Sequence, residues 1–220
     1  MVEVLASVRH VDWQSGEDKQ WLLQQLGRFR QPAWLCSTRP ELSSKWLQDE
    51  QLCDHLCLVE KEHIPLQIKT TGTGMDRLLA SLAAWKRTRG AVLVADLGTA
   101  WTLDATTAEG DFLGGAIGPG LATQEQALAE ACPHLGPPSK QPCSGIPANT
   151  PDAVAEGSRT ALALALDALS WAYEQDLPGG ARRFLCGGDA PLIGPWMSAD
   201  WAYADQLVLE GMSWLSHDQR

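Results

Sequence analysis

Apolar and polar positions alternate at the start of the chain. Val2, Val4, Ala6 and Val8 fall on one side of MVEVLASVRHVDW, the period-two pattern of a strand with one buried face. Ser15 with Asp18 resembles a capping box, and Trp21, Leu22, Gln25, Leu26 and Phe29 then recur at helical spacing. PAWLCST reads as a short strand, ELSSKWLQDE as a short helix and LCDHLCLVE as another strand. Leu78, Leu79, Leu82, Ala83 and Trp85 supply the apolar bulk of a helix over 76–86. AVLVAD is a buried strand, with WTLDAT and DFLGGAI as its hairpin continuation, and a helix follows over 121–131. The Pro- and Gly-rich stretch 132–147, CPHLGPPSKQPCSGIP, is a loop. Thr150 is a plausible N-cap and Pro151 a fitting first residue of the longest helix, which runs to about Gln175. RRFLCGGDA reads as strand, glycine turn and helix start, and DQLVLEGMSWL is the final apolar segment. Strands, hairpins and intervening helices without an internal repeat predict an α/β fold.

Composition narrows the function classes. The 220 residues are 45% hydrophobic and 20% charged, enough for a sizeable core. A net charge of -10 argues against general binding to nucleic acid or to an anionic membrane, both of which want a basic face. No apolar run has the length of a bilayer span, and the N-terminus lacks a basic segment followed by an apolar one, so a cytoplasmic protein is expected. The six cysteines are scattered. Cys53, His55 and Cys57 would share one face of a strand, which fits either buried small thiols or three converging metal ligands. The ten tryptophans, Trp85 and Trp171 among them, read as core or dimer packing rather than platforms for adenine.

Four clusters carry candidate chemistry. In VLVADLGTAWTLD a strand ends in Asp96, and the turn at Gly98 lets a phosphate approach its backbone amides while Thr99 adds a hydroxyl. A carboxylate beside phosphate needs a cation between them, so Asp96 points to a cation site; a plain hairpin turn is the alternative. In TGTGMDR, Asp76 is placed to act as a general base and Arg77 to take a carboxylate bidentately. The same pair also fits a helix N-terminus with an acidic first turn and a solvated arginine. Thr150 in NTPD either caps its helix or serves a ligand. CGGDA, 186–190, is a strand followed by two glycines and a helix start, a natural anion platform.

Taken in order, GMDR, ADLGTAWTLD, FLGGAIGPGL, NTPDA with Gly157, CGGDA and LVLEGM resemble the type III pantothenate kinases, over roughly residues 72 to 212. The resemblance implies an α/β fold of two actin-like (ribonuclease H-like) halves, with mixed sheets flanked by helices and ATP between them. The halves would be 1–73, N-terminally truncated, and 74–220, which holds the substrate motif and the second phosphate motif. It further implies a cytoplasmic homodimer that phosphorylates pantothenate to 4'-phosphopantothenate with ATP, the first step of coenzyme A biosynthesis. Magnesium and a monovalent cation, potassium or ammonium, would assist. By position, Gly74, Met75, Asp76, Arg77 and Thr150 would contact pantothenate, Asp76 being the proton acceptor. Gly98 and Thr99 fall in the ATP-binding turn, and Asp96 would hold the monovalent cation.

Two departures from the family pattern stand out. Family members open with a strand ending in an Asp-x-Gly-Asn-Thr phosphate loop, and MVEVLASVRHVDWQSG has no such loop. Either the loop is encoded upstream of Met1, which the intact remaining clusters favour, or the chain is a catalytically impaired relative acting as a ligand-binding or regulatory protein. HIPLQIKTT also lacks the aromatic substrate contact that commonly precedes the G-x-D-R motif.

Overall fold

The computed structural model describes residues 16–28, 32–37, 40–140 and 145–215. The expected opening strand, Ser15 of the expected capping box, Phe29 and Cys143 lie outside the described residues.

The first segment contains α1 (Gly16–Leu26), β1 (Ala33–Leu35), α2 (Pro40–Leu47) and β2 (Leu56–Leu58). β1 and β2 pair in parallel, and Leu22 and Leu26 of α1 pack with Leu52 and Leu56 beneath them. The single strand expected over LCDHLCLVE is corrected here: Cys53–His55 is a 3₁₀ turn and only Leu56–Leu58 is extended. The alternation that would have aligned Cys53, His55 and Cys57 on one face is therefore lost, because a 3₁₀ turn rotates each side chain by about a third of a turn.

A six-stranded mixed sheet forms the rest. Its strands are β3 (Gln67–Ile68), β4 (Val92–Leu97), β5 (Ala100–Thr106), β6 (Asp111–Pro119), β7 (Arg182–Cys186) and β8 (Trp201–Tyr203), in the order β3-β6-β5-β4-β7-β8. β4, β5 and β6 are the antiparallel meander expected from the hairpin pattern. β7 and β8 extend the other side of β4 in parallel, and β3 pairs in parallel with β6.

Period two along β4 explains the layers. Val92 and Val94 face α3 (Met75–Thr88) and α8 (Leu207–Ser213), packing with Ala80, Ala83, Phe184 and Leu207. Leu93, Ala95 and Leu97 face α6 (Ala161–Glu174) and α7 (Ala190–Ile193), packing with Leu162, Leu166 and Ile193. A strand covered on both faces reads as a continuous apolar run, as AVLVAD does. This is the expected α/β architecture of a mixed sheet flanked by helices. Among the described residues no helix is long and apolar enough to cross a membrane.

The long helix expected from Thr150 onward is interrupted. α5 (Thr150–Ala155) passes into a π-helical turn, Glu156–Thr160, before α6 begins. Ser158 bonds back to the carbonyls of Val154 and Ala155, and buried Arg159 donates to the carbonyl of Ser139 at 2.7 Å. Such local back-bonding, with Gly157 beside it, favours the wider turn. Trp85 is partly buried and its indole N–H donates to the Ala108 carbonyl at 3.0 Å, whereas Trp171 stands outward on α6, 46% exposed, contrary to a core position.

α8 approaches α3 so closely that a Cβ on Gly211 would lie 2.1 Å from the Leu79 carbonyl oxygen. Gly211→Ala should therefore separate the helices and lower stability by about 1–3 kcal/mol despite alanine's better helix propensity. Urea denaturation measures this, and an unchanged or higher midpoint would disprove the close approach.

Candidate active site

Three glycine-containing turns meet at the C-terminal edge of β4. The first is the β4–β5 hairpin, where the Gly98 amide donates to the Ala100 carbonyl at 3.1 Å. A Cβ on Gly98 would meet only that carbonyl, at 3.7 Å, so open space lies in front of it. Thr99 is exposed, and its hydroxyl makes no hydrogen bond among the described residues. The second turn follows β6 and leads into α4 (Leu121–Ala131). The Gly120 amide donates to the Thr99 carbonyl at 2.9 Å, and the Thr123 hydroxyl donates to the same oxygen at 2.8 Å. A Cβ on Gly120 would fall 1.9 Å from the Gly98 carbonyl oxygen. The third turn is Gly187–Asp189, between β7 and α7. The Asp189 amide donates to the Leu97 carbonyl at 3.0 Å. Gly187, at φ +92°, would place a Cβ 2.4 Å from the Asp96 carboxylate and 2.4 Å from the Leu97 carbonyl oxygen. Only glycine satisfies both that backbone angle and that contact.

Asp96 is half-buried on the α3 face of the sheet, opposite Thr102 on β5 and Cys186 on β7. The Cys186 thiol is pushed above its ordinary range by burial first, and then by the negative charges of Asp96, Asp205 and Asp104. Four acidic side chains thus bear on this region, counting Asp76, with Arg77 as the cation among them. Among the described residues no group of three or more His, Cys, Asp or Glu side chains converges as a metal site.

The second half of the site is the start of α3. Gly74 is its N-cap residue in extended conformation, and Met75, Asp76 and Arg77 form the first turn. The Asp76 carboxylate accepts the Arg77 backbone N–H at 2.9 Å, satisfying one of the orphan donors of the helix start. A Cβ on Gly74 would lie 2.5 Å from that carboxylate. Arg77 reaches across to β5: its Nε donates to Asp104 Oδ2 at 2.9 Å and its Nη2 to Asp104 Oδ1. Asp104 is 2% exposed and lies opposite Val94, on the same sheet face as Asp96. Burial, opposed by Arg77, holds its carboxyl above the ordinary range, and the nearby Asp76 charge adds to that. Cys36, just after β1, also feels Asp76: burial first and that charge second push its thiol up to about 12.

Thr150 lies elsewhere. Asn149, not Thr150, is the N-cap of α5, its side chain accepting the Asp152 amide at 3.0 Å; Thr150 is the first helical residue and Pro151 follows it. Asparagine accepts that bond at least as well as threonine, and one residue of register decides which side chain serves. Thr150 lines a cavity of about 610 Å³ with Gln124, Glu125, Asn149 and Ser158, and none of Gly74–Arg77, Asp96, Gly98 or Thr99 lines it. Sequence reasoning gave Asp104 no role of its own. The available signal was a carboxylate inside WTLDAT, the hairpin continuation of a buried strand, since a buried charge requires a partner.

The sequence profile of the type III pantothenate kinases matches residues 6–170. The chain belongs to the type III pantothenate kinase family. A type III pantothenate kinase of Chromobacterium violaceum is 42% identical over 144 residues, covering 65% of this chain and 60% of the relative. One of Nitrosomonas eutropha is 31% identical over 192 residues, covering 84% of this chain and 65% of the relative. The chain thus spans less than two thirds of the length of these relatives. Among solved structures, a protein described as a Baf family transcriptional activator from Campylobacter jejuni superposes with a TM-score of 0.64 at 21% identity, covering 87% of this chain and 85% of that one. That likeness concerns the fold.

Proposed function

We propose that the chain carries the acceptor and second phosphate motifs of an enzyme that transfers the γ-phosphoryl group of ATP to the primary hydroxyl of pantothenate. The observation that supports this most is the meeting of three glycine turns at the end of β4, on a sheet whose same side receives the Asp76–Arg77 start of α3 through the Arg77–Asp104 pair. In this reading Gly98 and Thr99 offer an amide and a hydroxyl to phosphate oxygens. Gly74 and Met75 bring the acceptor to the helix start. Asp76 takes the proton of the hydroxyl as its oxygen bonds to the γ-phosphorus, and the bond to the β-phosphate oxygen breaks to release ADP.

A monovalent cation at Asp96 would offset the negative charge gathered at the turn, and magnesium would arrive with the nucleotide. Thr150, lining a cavity of its own, would meet the acceptor from a second copy or after closure. We read residues 1–73 and 74–220 as the two halves of the architecture and the enzyme as a cytoplasmic homodimer. The outward Leu164 and Trp171 of α6 offer apolar surface for a partner copy.

The test is formation of 4'-phosphopantothenate, followed by mass spectrometry, with ATP, magnesium and potassium. Turnover that requires pantothenate supports the reading, and its absence with folded protein removes it. Replacing potassium by sodium should lower the rate by roughly tenfold if Asp96 holds the ion. Indifference to the swap would remove the cation from Asp96.

A further inference from the structure

Asp104 is expensive to bury. It sits in the middle of β5 between the core residues Leu103 and Ala105, opposite Val94 on one neighbouring strand and Gly115 on the other. A buried ion pair contributes little net stability compared with apolar packing, so its presence calls for a geometric role. Its hydrogen bonds go to Arg77, and they occupy one edge of the guanidinium, Nε and one hydrogen of Nη2. Arg77 Nη1 makes no hydrogen bond among the described residues, although the side chain is only 13% exposed. The backbone of Arg77 is fixed as well, by the helix and by its N–H bond to Asp76.

We propose that Asp104 is a positioning residue: it clamps Arg77 by the Nε edge so that the opposite edge, Nη1 with the second Nη2 hydrogen, is presented to an anionic group of the acceptor beside Asp76. The inference deepens the kinase reading and rests on it. A guanidinium held on one side by a buried carboxylate keeps a second pair of parallel donors, which matches a carboxylate. The acceptor class is then a hydroxy acid, its alcohol at Asp76 and its carboxylate at Arg77.

Asp104→Asn and Asp104→Glu, made in the full chain, test this with two acceptors: pantothenate, and panthenol, in which an alcohol replaces the carboxylate. The wild-type chain should prefer pantothenate in kcat/KM. Asp104→Asn should shrink that preference by about tenfold while the KM for ATP stays within about twofold, and Asp104→Glu should recover part of it. Side-chain NMR adds a readout independent of turnover. The Arg77 Nε–H should be protected from exchange in the wild type and unprotected in Asp104→Asn. An unchanged preference in a folded Asp104→Asn variant overturns the proposal, as does an equal loss for both acceptors that tracks melting temperature. If the wild type phosphorylates neither acceptor, the kinase reading falls, and titration of sodium pantothenate decides the clamp separately. A shift of the Arg77 side-chain resonances in the wild type but not in Asp104→Asn upholds it, and no shift in the wild type overturns it.

Discussion

Asp76→Asn should lower kcat by about 10²–10⁴-fold, the range over which a positioned general base contributes. The substitution isolates the chemistry because asparagine keeps what the structure asks of residue 76. Its carbonyl oxygen can still accept the Arg77 N–H now bonded at 2.9 Å, and its shape still fits beside Gly74, whose missing side chain leaves room for the carboxylate. In the proposed reaction it loses the ability to accept a proton from the attacking hydroxyl. The negative charge at the start of α3 is also lost, a change of about 0.3–1 kcal/mol in helix stability, so the melting temperature should move by a few degrees at most. Steady-state rates at saturating ATP and pantothenate, with circular dichroism melting in parallel, separate the two effects. Wild-type turnover in the folded variant would remove Asp76 as the base.

Asp167→Ala should cost about 3–5 kcal/mol of folding stability. Asp167 lies on α6 with 0% exposure, and its two oxygens gather four donors from the segment entering β8. Oδ2 accepts the Ser198 amide at 2.6 Å, the Ser198 hydroxyl at 2.7 Å and the Ala199 amide at 3.3 Å, while Oδ1 accepts the Trp201 indole N–H at 2.7 Å. Removing the carboxylate orphans several of these donors away from water. Because β8 pairs with β7, and β7 ends at the Gly187 turn beneath Asp96, loosening this clasp should also loosen that turn.

The clasp carries a pH signature. Burial alone would raise the Asp167 carboxyl, but the bonds from Ser198, Trp201 and Ala199 together outweigh it and hold the group below its ordinary value. A depressed native value means the charged form is favoured in the fold. The contribution is complete above about pH 4 and drains away as pH falls through the lower native value. Urea midpoints measured from pH 7 down to about pH 2 should therefore fall less steeply in Asp167→Asn than in the wild type. Parallel acid limbs would show that Asp167 is not the linked group.

The amino-acid pattern alone determined the elements whose signals are local. The apolar run of β4, the hairpin continuation in β5 and β6 and the spacing of Leu78, Leu79 and Leu82 are each encoded within a dozen residues, and each element formed where expected. The glycines of the turns were legible for the same reason, since close backbone contact and positive φ demand glycine at the residue itself. Tertiary structure decided everything that depends on partners far apart in the chain. Arg77 met Asp104 across 27 residues because the register of β5 against β4 turned Asp104 toward α3. The C-D-H-L-C stretch became a turn because its short strand pairs only from Leu56, and Ser158 with Arg159 widened a helix that periodicity alone had drawn as unbroken. Sequence spacing records which side of its own element a residue occupies. Which residue waits on the other side is set only when the sheet closes and the helices pack against it.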